Sequence, residues 1–542
     1  MTAETAQPTV SDTTSGMLRS NLVVGLGTAL SRVTGLIRVS VFAIVLGQRA
    51  LADAYNSANS SPNAVYELLL GGVLSASLVP MFTRHAAEDD EEATSTVVTV
   101  AIIALLVIAI VAVIAAPWIF HLYSLKTPPG IDPALYRRVG TLLARVFLIQ
   151  IFFYGLSALG SALLQARRRY FAAAWSPVLS NLVVIVTLVR INQVLDKPTV
   201  ELGDVLSNDS LRYMLWLGAT GGIAVMALAL APALKAAKVP SAFRPNFRHP
   251  AVKQLLKLSG WTLGYVLANQ ISLIVIQNLA QGTGEGKQDA YMKAFTFFVL
   301  PHGLLGVTIA TTFLPEMVRM VLRKNKAQFI EQSSMGIRMV ALLTLPAGFG
   351  LFVLRRPLVG GMLQHGKFGP ADTLLTSRAL AGFALGLVGF SVYLFVLRCF
   401  YAHQDARTPF MINLVENGIN IVLAWVLVDR FGVLGLGLSF AIAYLVSATW
   451  ALLILSYKVP GFVLKPLFAR LGKMLLAAVI MAETVWFVAN HVGANAGNGA
   501  ATRLIVGTIV GIVVYPIVLL VLGSPEVVDL QRRVFRRRVS RA

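Results

Sequence analysis

Two arginines stand in the first apolar stretch of the sequence, in the run SRVTGLIR from Ser31 to Arg38. A charge at the centre of a bilayer costs about 2.5–3.5 kcal/mol on insertion scales, so Arg32 and Arg38 call for an explanation. Arginine is the preferred planar, bidentate ligand for phosphate. Six residues advance a helix by about 9 Å and turn it by about 240°, so the two guanidiniums reach different depths of one wide cavity. With the hydroxyl of Ser31 beside them, they predict a binding site for an anionic diphosphate.

The alternative use of these arginines is structural. They could reach the interface or pair with acids, and Asp53 and Glu67 are the candidate partners. Most other charges inside apolar stretches lie near the ends of those stretches, where long side chains reach water at little cost and a structural role is favoured. These charges are Arg145, Lys293, Glu316, Arg338, Arg378, Arg398 and Glu483.

Glu416 and the neighbouring Asn417 lie deeper in an apolar stretch. They predict either a site for a monovalent cation or a polar contact between helices. The sequence has no catalytic constellation, neither a zinc-protease motif nor a phosphate-binding loop, so an enzyme is not predicted. Its single cysteine, Cys399, excludes a disulfide and a cysteine-based metal site, and no metal or cofactor is expected.

The composition places these residues in a membrane protein. Of the 542 residues, 56% are hydrophobic and 13% are charged, whereas soluble domains average about 25% charged residues. A helix needs roughly 20 apolar residues to cross a bilayer, and apolar runs of that length recur along the chain. The fold class predicted is an all-α polytopic membrane protein with about 14 transmembrane helices. The predicted spans are 21–46, 62–83, 97–121, 140–165, 171–190, 213–234, 258–281, 290–318, 333–354, 377–402, 409–429, 432–456, 468–492 and 502–523.

The positive charge of the chain, +21 at pH 7, lies mainly in short loops between these spans. Such residues set topology and contact anionic lipid headgroups, so nucleic acid is not a predicted partner. With the N-terminus inside, and with Arg190, Arg470, Lys473 and Arg503 at span ends counted with the adjoining loops, cytoplasmic segments hold 26 Lys and Arg and external loops hold 13. Because cytoplasmic loops are enriched in these residues, the count predicts cytoplasmic N- and C-termini in a bacterial plasma membrane.

An internal repeat divides the spans into two lobes. The pattern Gly-x8-Pro-x3-Arg occurs twice, beginning at Gly71 and again at Gly306. The pattern Pro-x3-Asn-Leu also occurs twice, beginning at Pro177 and again at Pro409. Both pairs fall six spans apart, which predicts two parallel six-helix lobes plus two C-terminal helices. The predicted organisation is a disordered cytoplasmic tail (1–17), the first lobe (18–234, helices 1–6), a cytoplasmic basic linker (235–257), the second lobe (258–456, helices 7–12), helices 13–14 (457–523) and a basic cytoplasmic tail (524–542).

Several of these segments resemble the MurJ (MviN) lipid II flippase family of the multidrug/oligosaccharidyl-lipid/polysaccharide exporter superfamily. They are the Ser31–Arg38 run, the ADAY run at 52–55, the GGVLSASLVP run at 71–80, the PHGLLG run at 301–306, the QHGKF run at 364–368 and the Asp405-x2-Thr408-Pro409 loop. The similarity extends from about residue 17 to residue 456.

The resemblance implies fourteen helices, a cationic central cavity and functional roles for Arg32, Arg38 and Asp53. It implies movement of a polyprenyl-diphosphate-linked disaccharide-peptide, lipid II, from the inner to the outer leaflet by alternating access. Membrane lipids and cell-wall synthesis proteins are the further partners. Two family arginines are replaced here, near Tyr66 and near Thr296, so the cavity is expected to carry fewer arginines.

Energy for transport is expected from the membrane potential or from a monovalent cation. The resemblance implies that some family members have a sodium site that uses an acid in the seventh helix. This chain offers Asn269 and Gln270 there, and sodium coupling is therefore not predicted. The alternatives are a flippase for another polyprenyl-diphosphate-linked glycan and a cation-coupled drug exporter of the same superfamily. A drug exporter would favour an acidic cavity, whereas the first span here is basic.

Overall fold

The computed structural model describes residues 10–68, 78–195, 197–240 and 242–526, with side chains described except at 10–24, 67–68 and 254–263. All the secondary-structure elements assigned in these residues are helices, which confirms the predicted all-α class. Contacts divide the chain into two units. Unit 1 comprises Met1–Leu46, Ala54–Leu125 and Asp132–Val266, and unit 2 comprises Gly47–Asp53, Lys126–Ile131 and Leu267–Ala542.

The helices of the first half include two spans built from several segments. A π-helical turn at Leu217–Gly221 joins α10 to α11, and α6 and α7 follow each other to form one long span. The helices are α1 (Val10–Leu46), α2 (Ala50–Leu68), α3 (Val79–Ala87), α4 (Glu91–Ile114), α5 (Ala116–Leu122), α6 (Pro133–Phe147), α7 (Gln150–Ala166), α8 (Phe171–Val194), α9 (Leu202–Ser207), α10 (Asp209–Trp216), α11 (Gly222–Leu228) and α12 (Ala231–Ala236).

The second half contains the longest helix, α16, and another π-helical turn, His302–Gly306, between α14 and α15. Its helices are α13 (Pro250–Gly282), α14 (Lys287–Pro301), α15 (Val307–Leu322), α16 (Lys326–Leu363), α17 (Pro370–Leu385), α18 (Leu387–Ala402), α19 (Arg407–Phe431), α20 (Val433–Lys458), α21 (Leu464–Asn490) and α22 (Gly497–Val521).

Eleven helices in the described residues are long and apolar enough to cross a membrane, and α17 with α18, bent by 47°, gives a twelfth. Of the two remaining predicted spans, 62–83 includes residues that the structure does not describe, and 258–281 includes residues whose side chains it does not describe. The count of fourteen therefore stays a prediction, whereas the polytopic membrane architecture is confirmed.

Two helices begin inside segments predicted to lie outside the lobes, and the predicted domain boundaries stay a prediction. Helix α1 begins at Val10, within the predicted tail 1–17, and no proline interrupts the sequence from there to Leu46. Likewise α13 begins at Pro250, within the predicted linker 235–257. Proline is favoured in the first turn of a helix, where its missing N–H is not needed.

Glycines allow close helix packing where α1 meets α8 in unit 1. A Cβ on Gly27 would lie 2.8 Å from the indole of Trp175, so a larger residue would push the two helices apart. In unit 2, aromatic rings fill the core between α14, α17, α18 and α20. The ring of Phe440 lies 5.3 Å from that of Phe298 and 5.2 Å from that of Phe383. These contacts position the polar side chains described below.

Candidate functional site

Helix α1 is fixed on α8 by a polar contact in the middle of an apolar interface. The side-chain amide of Asn181 donates to the carbonyl of Ser31 at 3.2 Å and to the hydroxyl of Thr34 at 3.0 Å. Asn181 is buried, and a Cβ on Gly35 would lie 3.7 Å from its amide nitrogen. Because a buried amide is costly to leave unpaired, these bonds set the rotation of α1 about its axis. Ser31 thus contributes its carbonyl to this contact.

The two arginines of α1 keep their guanidiniums available. Arg32 is exposed and Arg38 is half-buried. Neither forms an ion pair with a residue whose side chain the structure describes, and Glu67, one of the alternative partners, lies outside those side chains. Since no described acid neutralises them, these two charges can act on a ligand.

Tyrosines lie near both arginines. Arg38 lies in electrostatic range of the hydroxyls of Tyr55 and Tyr154, and Arg32 in that of Tyr66. Tyr55 and Tyr66 are eleven residues apart on α2, about three turns, so they share one face of that helix to within about 20°.

The rings of this tyrosine face are tightly packed. The ring of Tyr66 lies 4.3 Å from that of Tyr154, whose hydroxyl donates to the side-chain oxygen of Asn63 at 2.9 Å. The ring of Tyr55 lies 5.0 Å from those of Phe42 and Phe147. Unit 1 thus presents packed phenols beside guanidiniums that have no described acidic partner. In the sequence, the only signal for this face is the eleven-residue spacing of Tyr55 and Tyr66. That spacing predicts a shared face only once residues 50–68 are known to be helical.

Asp53 falls between the predicted spans 21–46 and 62–83, and the structure places it in the first turn of α2. Its side chain is fully buried and accepts two backbone hydrogen bonds, from Gly286 at 2.7 Å and from Asp289 at 2.8 Å. Both donors stand at the start of α14, where N–H groups lack partners within the helix. Asp53 therefore caps α14, and its negative charge also suits the positive end of the helix dipole.

The segment 47–53 is fitted closely to the turn before α14. Gly286 has φ +73°, and a Cβ there would lie 2.2 Å from the carbonyl oxygen of Gln48. The backbone N–H of Ala50 donates to the carboxylate of Glu285 at 3.0 Å. A left-handed backbone with no room for a side chain requires glycine at this position.

An ion pair lies one turn into α14. Lys293 and Asp289 are neighbours four residues apart on the helix, and their side chains are 3% and 1% exposed. The ammonium of Lys293 also lies 5.7 Å from the ring centroid of Phe368. The sequence had suggested that Lys293 snorkels, but its partner on the same helix lets it stay buried.

Asn417 and Glu416 point to different neighbours within unit 2. The amide of Asn417 donates to the side-chain oxygen of Asn269 on α13 at 2.9 Å, and that of Asn413 donates to the same oxygen at 3.0 Å. Glu416 is 1% exposed, neither of its carboxylate oxygens forms a hydrogen bond of good geometry, and the hydroxyl of Tyr444 lies near them. Adjacent residues on a helix differ by about 100°, which is why the two do not form one ligand set.

Within the described residues, no cluster of three or more His, Cys, Asp or Glu side chains is placed to hold a metal ion. The sites are thus of two kinds. The arginines and tyrosines of unit 1 offer positive charge and hydroxyl donors, which suit a phosphate ligand. In unit 2, by contrast, the carboxylate of Asp53 already accepts backbone hydrogen bonds and that of Asp289 is paired with Lys293.

Comparisons with known proteins give a consistent result. A family model described as lipid II flippase MurJ matches residues 42–529. A probable lipid II flippase MurJ of Rhizobium meliloti (strain 1021) is 26% identical over 476 residues, covering 87% of this chain and 86% of the relative. The lipid II flippase MurJ of Burkholderia cenocepacia is 28% identical over 435 residues, covering 79% and 81%.

Solved structures agree on the fold. A lipid II flippase MurJ in an inward closed conformation superposes with a TM-score of 0.75 at 22% identity, covering 92% of this chain and 98% of that one. An inward-facing multidrug resistance transporter of the MATE family gives a TM-score of 0.66 at 16% identity, covering 79% and 95%. Because the family model spans most of the sequence, this chain belongs to the lipid II flippase MurJ family.

Proposed function

We propose that this chain is a transporter that moves lipid II from the inner to the outer leaflet of the cytoplasmic membrane by alternating access. The observation that carries the proposal is the pair Arg32 and Arg38, which stand in a membrane helix without a described acidic partner. Family membership supports the same function, since the relatives are named lipid II flippases.

The chemistry of the site suits a diphosphate. A guanidinium donates two parallel hydrogen bonds to a phosphate, and two guanidiniums about 9 Å apart along α1 can serve successive positions of one anion. The phenols of Tyr55 and Tyr66 add hydroxyl donors at fixed positions, while the hydroxyl of Tyr154 already donates to Asn63. The polyprenyl tail stays in the bilayer, because each buried CH₂ gains about 0.8 kcal/mol from leaving water.

Asp53 acts in this proposal as a positioning residue. Its carboxylate is occupied by the first N–H groups of α14 and so holds the segment after α1 in place. We therefore assign the direct diphosphate contacts to Arg32 and Arg38, with Ser31 beside them, and an indirect role to Asp53.

The membrane potential is the proposed source of energy. An inside-negative potential acts on each transferred charge with about 2.3 kcal/mol per 100 mV, enough to drive the anion outward or to return the empty carrier. Coupling to a monovalent cation at Asn417 or Glu416 is the second candidate. The amides of Asn413 and Asn417 already satisfy Asn269, which favours the potential over the cation.

Complementation tests the function directly. A strain in which the resident lipid II flippase is depleted should regain growth with the wild-type chain and with the control Arg430→Gln, an exposed arginine at the end of α19. It should not regain growth with Arg32→Ala combined with Arg38→Ala, although membrane abundance is equal. Failure of the wild-type chain, present at normal abundance, would favour another polyprenyl-diphosphate glycan as substrate.

A further inference from the structure

A basic cavity lies at the far end of α16, where this helix meets α21 and α22. Its volume is about 220 Å³, and its lining includes Arg355, Arg356, Trp486, Asn490, Asn495 and Arg503. All of these residues belong to unit 2, whereas Arg32 and Arg38 belong to unit 1. The cavity therefore shares no residue with the proposed substrate site.

The loop between α21 and α22 is folded to form one wall of this cavity. A Cβ on Gly360 would lie 1.9 Å from the carbonyl oxygen of Asn495, so α16 must have glycine there for the loop to approach. Arg503 holds the loop from inside, donating to the carbonyl of Val492 at 3.0 Å and to the side-chain oxygen of Asn495 at 2.7 Å. The wall is thus built by specific contacts.

The charges in the cavity are uncompensated. No acidic residue lines it. The guanidinium of Arg355 donates to the carbonyl of Phe352, and its central carbon lies 4.7 Å from the centroid of the Phe352 ring. Arg356 is exposed and forms no hydrogen bond or ion pair with any described residue. Three guanidiniums around one small space repel one another, and an anion with several oxygens would relieve that repulsion.

The position of the cavity indicates where the anion comes from. It lies at the ends of three membrane-spanning helices, which is the level of the lipid headgroups. Trp486, at the edge of the cavity, is 55% exposed. Tryptophan is enriched at the interface between membrane and water. In the predicted topology this is the external face.

A second basic cavity in unit 2 offers a contrast. It is lined by Lys324, Lys326 and Lys458, but Lys458 is bound to Asp405 at 2.7 Å. A lysine is also a point charge without the bidentate fork of arginine. The arginine cavity is therefore the better match for a phosphate.

We infer that the cavity formed by Arg355, Arg356 and Arg503 binds the phosphate of an anionic phospholipid headgroup. The shared chemistry is a phosphate group, and a membrane lipid is the source that the position favours. Bound there, the lipid would hold α21 and α22 against α16.

The test uses the purified full-length protein in detergent, stripped of lipid and titrated with phosphatidylglycerol or phosphatidylcholine. Bound lipid is counted by native mass spectrometry, and thermal unfolding is followed in parallel. The wild type should prefer phosphatidylglycerol, and Arg355→Gln combined with Arg356→Gln should weaken its binding about tenfold. Arg430→Gln, which removes an exposed arginine elsewhere, should bind as the wild type does.

The single variant Arg356→Gln guards against misfolding, because this exposed side chain forms no hydrogen bond or ion pair with a described residue. This variant should still bind the lipid several-fold more weakly than the wild type does. Unchanged binding in the double variant, or equal weakening in Arg430→Gln, would overturn the inference. A further arm adds inorganic phosphate without lipid. If phosphate alone stabilises the wild type as strongly as phosphatidylglycerol does, and the double variant abolishes both effects, the assignment to a lipid is wrong.

Discussion

Helices α1 and α14 both carry charge into the membrane, and they treat it in opposite ways. On α14, Asp289 and Lys293 neutralise each other out of contact with solvent, at 1% and 3% exposure. On α1, Arg32 and Arg38 have no described acidic partner and remain partly or fully accessible. The two charges of a buried pair stabilise each other, whereas accessible charges without an acidic partner can still bind an anionic ligand.

The difference shows that an intramembrane charge is informative only together with its neighbours. Four residues apart on a helix, an acid and a base meet on one face. Six residues apart, two bases do not share a face and have no partner of their own. The comparison predicts that substitutions on α14 lower stability, while substitutions on α1 lower transport.

The largest effect on stability is expected from Lys293→Ala. It leaves the carboxylate of Asp289 buried without its cation, which should cost about 3–5 kcal/mol of unfolding free energy. Thermal unfolding and membrane abundance measure this loss. Replacing both members of the pair, Lys293→Met with Asp289→Leu, should recover much of the lost unfolding free energy. If Lys293→Ala were as stable as the wild type, the proposed difference between α14 and α1 would be wrong.

Gly286→Ala should have the next largest effect. The positive φ and the carbonyl of Gln48 leave no room for a methyl group, and strain at such positions costs of order 1–3 kcal/mol. The matched control is Gly472→Ala on α21, where nothing lies within 4 Å and alanine should stabilise the helix slightly. Equal unfolding temperatures for the two variants would show that the turn before α14 is not tightly fitted.

A smaller effect is expected from Asp405, whose pair with Lys458 is more accessible than the pair on α14. Partial burial raises the pKa of Asp405, but hydrogen bonds from Lys458 and Thr408 outweigh it and lower this pKa to about 2. The stabilisation is thus present above about pH 4, the unfolded pKa, and is lost as the pH falls toward 2.

Asp405→Asn should therefore lower stability at pH 7 by about 1 kcal/mol, because solvent screens the pair. The difference from the wild type should shrink as the pH is lowered below about 4. Unfolding temperatures of both proteins between pH 3 and pH 7 provide the measurement. A difference that stays constant over this range would contradict the assigned pKa.

The sequence predicts the class of the fold well, because apolar runs of bilayer length have no other stable form than helices. It also identifies Arg32, Arg38, Asp53 and Glu416 as unusual. It could not place Asp53 on the start of α14, since that contact joins residues more than 230 positions apart.

Two other features needed the structure. The arginine cavity brings together α16 and α22, and no local pattern links Arg355 to Arg503. The pair on α14 was within reach of the sequence, because Asp289 and Lys293 have helical spacing. The predicted span 290–318 begins just after Asp289, so the apolar pattern marks only Lys293 as a charge within the membrane.

The direct test of the central claim is lipid II translocation in proteoliposomes by the wild type, Arg38→Ala and Arg38→Lys. Protein amount and unfolding temperature are matched for all three. The account predicts no translocation by Arg38→Ala at an unchanged unfolding temperature. It predicts partial translocation by Arg38→Lys, because the ammonium keeps the charge and loses the bidentate fork. Full translocation by Arg38→Ala would contradict the account and make this arginine a structural residue.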